Sequence, residues 1–420
     1  MYALLALPLL AVAPGAFDAG EAVSVQEIGD RVAEVLRQGM ADEGGDPDDY
    51  AADLGELGGR AVEPLFDALA AGCVGPPDHV VGLDARGEEL ALTGLALLPR
   101  GGVLQFLGNL ELPPDADRLR VAQRVLGAVG DPEDLSLLVR LSTPADARAA
   151  VGPLVRSEFV DAAASILARH PDENWVVRVH YDTAPAGLQA SVIAAAAEAR
   201  LPGVVDVFGG LLGVHPELDV VVLSQLARTA GPWNHGPEVC EAVRSVLLSA
   251  EGSERVAAVM ALGALEDADS VDALIELFEE ADSGLGAHLD RALSRITGRN
   301  FRGDPRQWRT WRMDIAQWWR TEAPGLFRDL RGPDEARAAA AINALSRHRL
   351  YRREFERELL ASLRPDRPEV CALGCRVLAW MGSPASLTTI QRLAGSSDDW
   401  VSDAARAALE EISVRTGGIP

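Results

Sequence analysis

Apolar residues recur every three or four positions along almost the whole chain. The strict alternation that marks a half-buried strand is scarce, so the pattern predicts helices nearly throughout. At the amino-terminal end, Ser24 is followed three residues later by Glu27, the signature of a capping box. Val25, Ile28, Val32 and Val35 then follow at helical spacing, and Gly39 is placed to end the helix. Acidic, glycine-containing "ADEGGDPDD", residues 41–49, reads as a loop.

The pattern also repeats. "VLGAVGDPEDLSLLVRL" from Val125, "ALGALEDADSVDALIEL" from Ala261 and "VLAWMGSPASLTTIQRL" from Val377 can be laid over one another. Leu126, Leu262 and Leu378 align, as do Leu135, Val271 and Leu387. Leu138, Leu274 and Ile390 follow, then Leu141, Leu277 and Leu393. The offsets are 136 (262 − 126) and 116 (378 − 262), room for several units of about 30–47 residues between copies. Each copy is a helix, a short turn rich in Gly, Asp or Pro, and a second helix. A single pair cannot bury its apolar face alone, so the pairs are expected to stack. The fold expected is all-α, an α-solenoid of stacked antiparallel helix pairs forming one continuous superhelix. Its parts would be a signal peptide over 1–16, an N-terminal helical cap over 17–58, repeats over 59–415 and a tail over 416–420.

"LRVAQRVLGAVGDPEDLSLLVRL" and "SERVAAVMALGALEDADSVDALIEL" resemble HEAT-like repeats of the kind found in bacterial phycobilin-lyase-like proteins. The resemblance extends over most of residues 50–415, strongly in three units and loosely elsewhere. A second stretch, "ITGRNFRGDPRQWRTWRMDIAQWW" from Ile296 to Trp319, is similar to the L-T-G…F…D-P…W…W tail of many bacterial HEAT-repeat proteins, with Ile296 in place of the leucine. The resemblance implies an α-solenoid that binds other proteins. Some members of the family are enzymes, so membership leaves function open.

That tryptophan stretch interrupts the repeats over 297–331. The spacing predicts a helix ending near Thr297 with Gly298 as a left-handed cap, then a new one with Asp304 as N-cap and Pro305 in its first position. At about 100° per residue, Trp308, Trp311, Ile315 and Trp318 share one face and are expected in the core. Arg306, Arg309 and Arg320 fall on another face, left for solvent or for an anionic partner. Residues 291–357 hold 16 Arg and eight acidic residues, a balance of +8; the remainder holds 23 Arg and 55 acidic residues, a balance of −32. The simplest account is a solvated basic face that pairs with the acidic body. "RHRLYRREFER" from Arg347 interleaves Arg with Tyr351 and Phe355 as nucleic-acid binders do, but a net charge of −24 opposes a phosphate backbone, so nucleic acid is not the expected partner.

Composition removes further chemistries. All 39 basic residues are arginine, so neither a lysine Schiff base nor a complete Walker A loop can form. Cys73, Cys240, Cys371 and Cys375 make no C-x-x-C and read as small buried hydrophobes. His170, His180 and His235 each have an acid nearby without forming a recognised metal spacing. No catalytic, cofactor or metal residue is expected, and no cofactor. Ala3 to Ala13 is apolar but too short to span a bilayer. Small residues near Ala13 and Ala16 suit peptidase cleavage, which implies export and no transmembrane span in the mature chain. The expected function is a non-catalytic scaffold for a protein or peptide partner. A lyase or hydroxylase on the same scaffold, or a binder of an anionic polymer through 291–357, stand as alternatives.

Overall fold

The computed structural model describes residues 24–42, 44–75, 80–143, 157–364 and 366–416. The expected signal peptide, the first residues of the N-terminal cap and the tail beyond Thr416 lie outside them. Among the described residues the chain is all-α, with 23 α-helices and one two-stranded antiparallel hairpin of Cys73–Val74 against Val81–Gly82. Contacts divide the chain into two compact units, Met1–Val129 and Gly130–Pro420, where the sequence reading expects one continuous array.

In the described part of the first unit, the helices close on one another. Helix Val25–Ala41 packs on Pro47–Glu56, Val62–Ala71 and Ala85–Leu97, and Pro47–Glu56 packs on Ala85–Leu97 in turn. The capping box forms: Glu27 N–H donates to Ser24 Oγ at 3.2 Å, and Ser24 N–H donates to Glu27 Oε2 at 2.7 Å.

Gly39 does not end that helix, which runs on to Ala41. It is a contact point instead. A Cβ at Gly39 would lie 2.5 Å from Leu90 Cδ1 and 3.2 Å from Tyr50 Cγ, so glycine here lets two helices approach. The acidic loop is also shorter than expected. Asp46 caps a helix that begins at Pro47, which turns Asp48 and Asp49 into first-turn acids that complement the helix dipole.

The second unit is a stack in two rows. Ser157–Arg169, Ala186–Glu198, Asp219–Thr229, Gly252–Leu265 and Ser283–Thr297 pack side by side in one row. Trp175–Thr183, Val204–Leu211, Pro237–Ser249, Val271–Glu280 and Pro305–Thr321 alternate with them along the chain and cover them. Beyond the tryptophan helix, Glu335–Leu345, Pro368–Met381 and Asp399–Thr416 continue as packed neighbours. Most aligned positions of the repeat are buried: Leu262 and Leu378, Leu138, Leu274 and Ile390, and Leu126 in the first unit, while Leu277 and Leu387 are half-buried. Repeat geometry also accounts for Gly263, where a Cβ would meet the backbone of Ala292 at 2.9 Å.

Candidate functional site

The tryptophan stretch is built as its caps dictate. Helix Ser283–Thr297 ends at Gly298, whose φ of 71° is the left-handed conformation glycine adopts without cost. The next helix spans Pro305–Thr321, with Asp304 accepting from the N–H groups of Arg306 and Gln307. A further helix, Ala323–Arg331, follows directly.

The sequence reading treats the apolar face as uniformly core, and the structure divides it in two. Trp308 and Ile315 are buried, at 0% and 5% exposure. Trp311 and Trp318 are half-buried. Trp308 fits because its indole N–H finds a partner, donating to Asp290 Oδ1 at 2.8 Å from the preceding helix. Phe301 and Trp311 pack edge-on against its ring, with centroids 4.7 and 5.8 Å away.

The other end of the helix holds a segment that the sequence reading does not connect with it. Trp318 lies 3.8 Å from the ring of His348 and Trp319 lies 3.9 Å from that of Tyr351, centroid to centroid, the latter pair stacked at 13°. Adjacent tryptophans therefore grip a short 3-10 turn, Arg349–Tyr351, at residues three apart. Tyr351, which the sequence pattern offers as an interleaved nucleic-acid contact, is spent on this internal stack. Phe355 of the same pattern is fully buried.

The arginines divide as well. Arg306, Arg309 and Arg320 are all exposed, but Arg309 is ion-paired to Glu279. Arg312 pairs with Asp272 at 2.7 Å, so one turn of the tryptophan helix is tied at two points to acids of helix Val271–Glu280. Among the described residues, five of the sixteen arginines in 291–357 form ion pairs: Arg309, Arg312, Arg331, Arg337 and Arg352. The other eleven are exposed. Two of them lie near His348. Arg299 and Arg347 both act on its imidazole, which burial first and these two cations second hold below the usual histidine range. Arg349 lies against the Gly298 cap, its Cδ 3.1 Å from where a Cβ would stand.

Arg352 is the exception on this basic segment, being buried. It pairs with Glu266 and sits over the ring of Trp233, 4.4 Å from its centroid. Glu266 occupies the turn of the repeat with a φ of 50°. One residue on, Asp267 is also buried and accepts from Arg244 at 2.7 and 2.8 Å. Nothing in the local sequence around Arg352 links it to a turn 86 residues away; only the stacking of units does.

The histidine spots lead elsewhere. His235 Nδ1 lies 2.9 Å from Gly236 O and Nε2 lies 3.3 Å from Leu265 O, so the single N–H of the neutral ring has a backbone carbonyl to donate to in either tautomer. Cys240 Sγ stands 3.8 Å from His235 Nδ1, yet its thiol is pushed up to about 12, chiefly by burial, so it stays protonated at neutral pH and is no activated nucleophile. His170 pairs with Asp131 at 3.3 Å. Among the described residues no group of three His, Cys, Asp or Glu side chains is placed to hold a metal ion, and no single helix is long and apolar enough to cross a membrane.

No curated protein matches the chain. Residues 254–280 match the family model of the PBS lyase HEAT-like repeat. The matched segment holds the Gly263 contact, the Glu266–Asp267 turn and the inward-facing Leu262 and Leu274, and it sits in an all-helical stack of packed pairs, as one HEAT-like repeat among them.

Proposed function

We propose that the chain is a non-catalytic scaffold that docks an acidic segment of a protein partner on the arginine-rich face of residues 291–357. One observation carries the reading. Eleven arginines of this segment are exposed without an ion pair among the described residues, in a chain whose net charge is −24. An acidic body could satisfy them and does so for Arg309 and Arg312. Leaving the rest free favours an external anion, which guanidinium groups bind through paired hydrogen bonds. The tryptophans supply rigidity: Trp318 and Trp319 clamp the turn from which Arg347 and Arg349 project, which lowers the entropic cost of presenting them.

The test is fluorescence anisotropy of labelled poly-glutamate with the full chain at two salt concentrations. Binding that weakens with salt, and is lost in the triple variant Arg299→Gln, Arg347→Gln, Arg349→Gln at unchanged melting temperature, supports the reading. Polyphosphate binding in place of poly-glutamate at equal ionic strength transfers the face to phosphate-rich polymers. Absence of both removes the proposal. A lyase on the same scaffold is suggested only by the family of the matched repeat; a tetrapyrrole retained by protein purified from its native host would favour it, and a retained metal would favour a hydroxylase instead.

A further inference from the structure

The amino-terminal unit carries an open groove of about 960 Å³ between helix Val25–Ala41, the 3-10 turn Gly58–Ala61 and helix Arg100–Gly108. Its apolar lining includes Ile28, Leu57 and Phe106. Phe106 is held in place by an edge-on contact with buried Phe66, ring centroids 5.1 Å apart. Four polar side chains line the groove as well: Arg31, Arg60, Gln105 and Asn109. All four are exposed. Glu27 also lines the groove, but its carboxylate is committed to the Ser24 cap. Neither arginine forms an ion pair among the described residues, although the chain as a whole has a large excess of acids.

Two glycines of the wall, Gly59 and Gly102, add a separate observation. Neither has a positive φ, and a Cβ at either would meet nothing within 4 Å. Backbone conformation and internal packing thus give no reason for glycine at these two positions. What their missing side chains provide is open approach to the backbone from the groove. Gln105 and Asn109 are four apart on one helix and its cap, hence on one face. Each side-chain amide offers a donor and an acceptor, the complement of a peptide group.

We propose that this groove binds an extended peptide segment bearing a carboxylate beside an apolar side chain. The carboxylate is taken by Arg31 and Arg60. The peptide backbone lies across Gly59 and Gly102 and exchanges hydrogen bonds with Gln105 and Asn109. The apolar side chain rests on Ile28, Leu57 and Phe106. The site is independent of the arginine-rich face in the second unit.

The experiment uses the full chain and a fluorescein-labelled peptide of alternating leucine and aspartate, with its leucine–asparagine counterpart as control. The aspartate peptide is expected to bind at least about tenfold more tightly than the control, the scale of one charge-assisted contact. The double variant Arg31→Gln, Arg60→Gln removes that preference. Gly102→Val blocks both peptides at unchanged melting temperature, since its side chain has room in the fold but not beside a ligand. Equal binding of the two peptides, or binding that survives all three substitutions, overturns the proposal. So does loss of binding in the Arg299, Arg347 and Arg349 variant with the groove variants unaffected, because the peptide then sits on the other face.

Discussion

The indole of Trp318 and the imidazole of His348 lie 3.8 Å apart, centroid to centroid, and burial, then the nearby Arg299 and Arg347, lower the histidine's proton affinity. The neutral ring is therefore favoured in the folded chain. The resulting stability is present above the unfolded value of 6.5 and is lost as pH falls through the lower folded value. His348 is expected to titrate below 6.5 by nuclear magnetic resonance, and to move upward when Arg299 and Arg347 are changed to Gln. Titration at or above 6.5 in the wild type contradicts the burial of this ring.

Trp308 and Trp311 differ by three residues and share a face, yet they should respond differently to truncation. Trp308→Ala empties a buried site and strands the Asp290 carboxylate, costing about 3–5 kcal/mol. Trp311→Ala exposes a ring that is half in solvent already and should cost clearly less. Urea midpoints measure both. Equal losses contradict the difference in burial between these two rings.

The Arg352–Glu266 pair is nearly out of water, with side chains 10% and 14% exposed. Arg352→Ala leaves Glu266 charged beside an emptied Trp233 face, at a cost of about 3–5 kcal/mol. Replacing both partners by methionine should recover much of that loss, because no lone charge remains. Chemical denaturation of the single and double variants decides it. A double variant no better than the single one would mean that the pair acts through contacts other than its charges.

Gly263→Ala tests the spacing of the matched repeat. Alanine favours a helix by about 1 kcal/mol over glycine. Here its Cβ would stand 2.9 Å from Ala292 Cα, which is backbone and cannot swing aside. The variant is expected to lose about 1–3 kcal/mol net, the usual cost of overpacking. A raised melting temperature would show that the two helices can part without penalty.

The sequence by itself determined the helices, their caps and their inward faces. Ser24–Glu27, Gly298 and Asp304–Pro305 are local devices, satisfied by residues within a turn of each other, so a linear pattern contains all their partners. The aligned leucines of the repeat were legible for a similar reason: apolar residues at helical spacing must be buried against something, whatever that is. Tertiary structure alone decided the rest. Gly39 reads as a helix end and serves as a contact, because Leu90 lies 51 residues on. Which tryptophan of one face is fully buried depended on Asp290 and on the turn at His348, and which arginine stays free depended on the acids of helix Val271–Glu280. Each of these is a pairing between elements, and the short range of packing and hydrogen bonds lets no sequence pattern fix it before the elements meet.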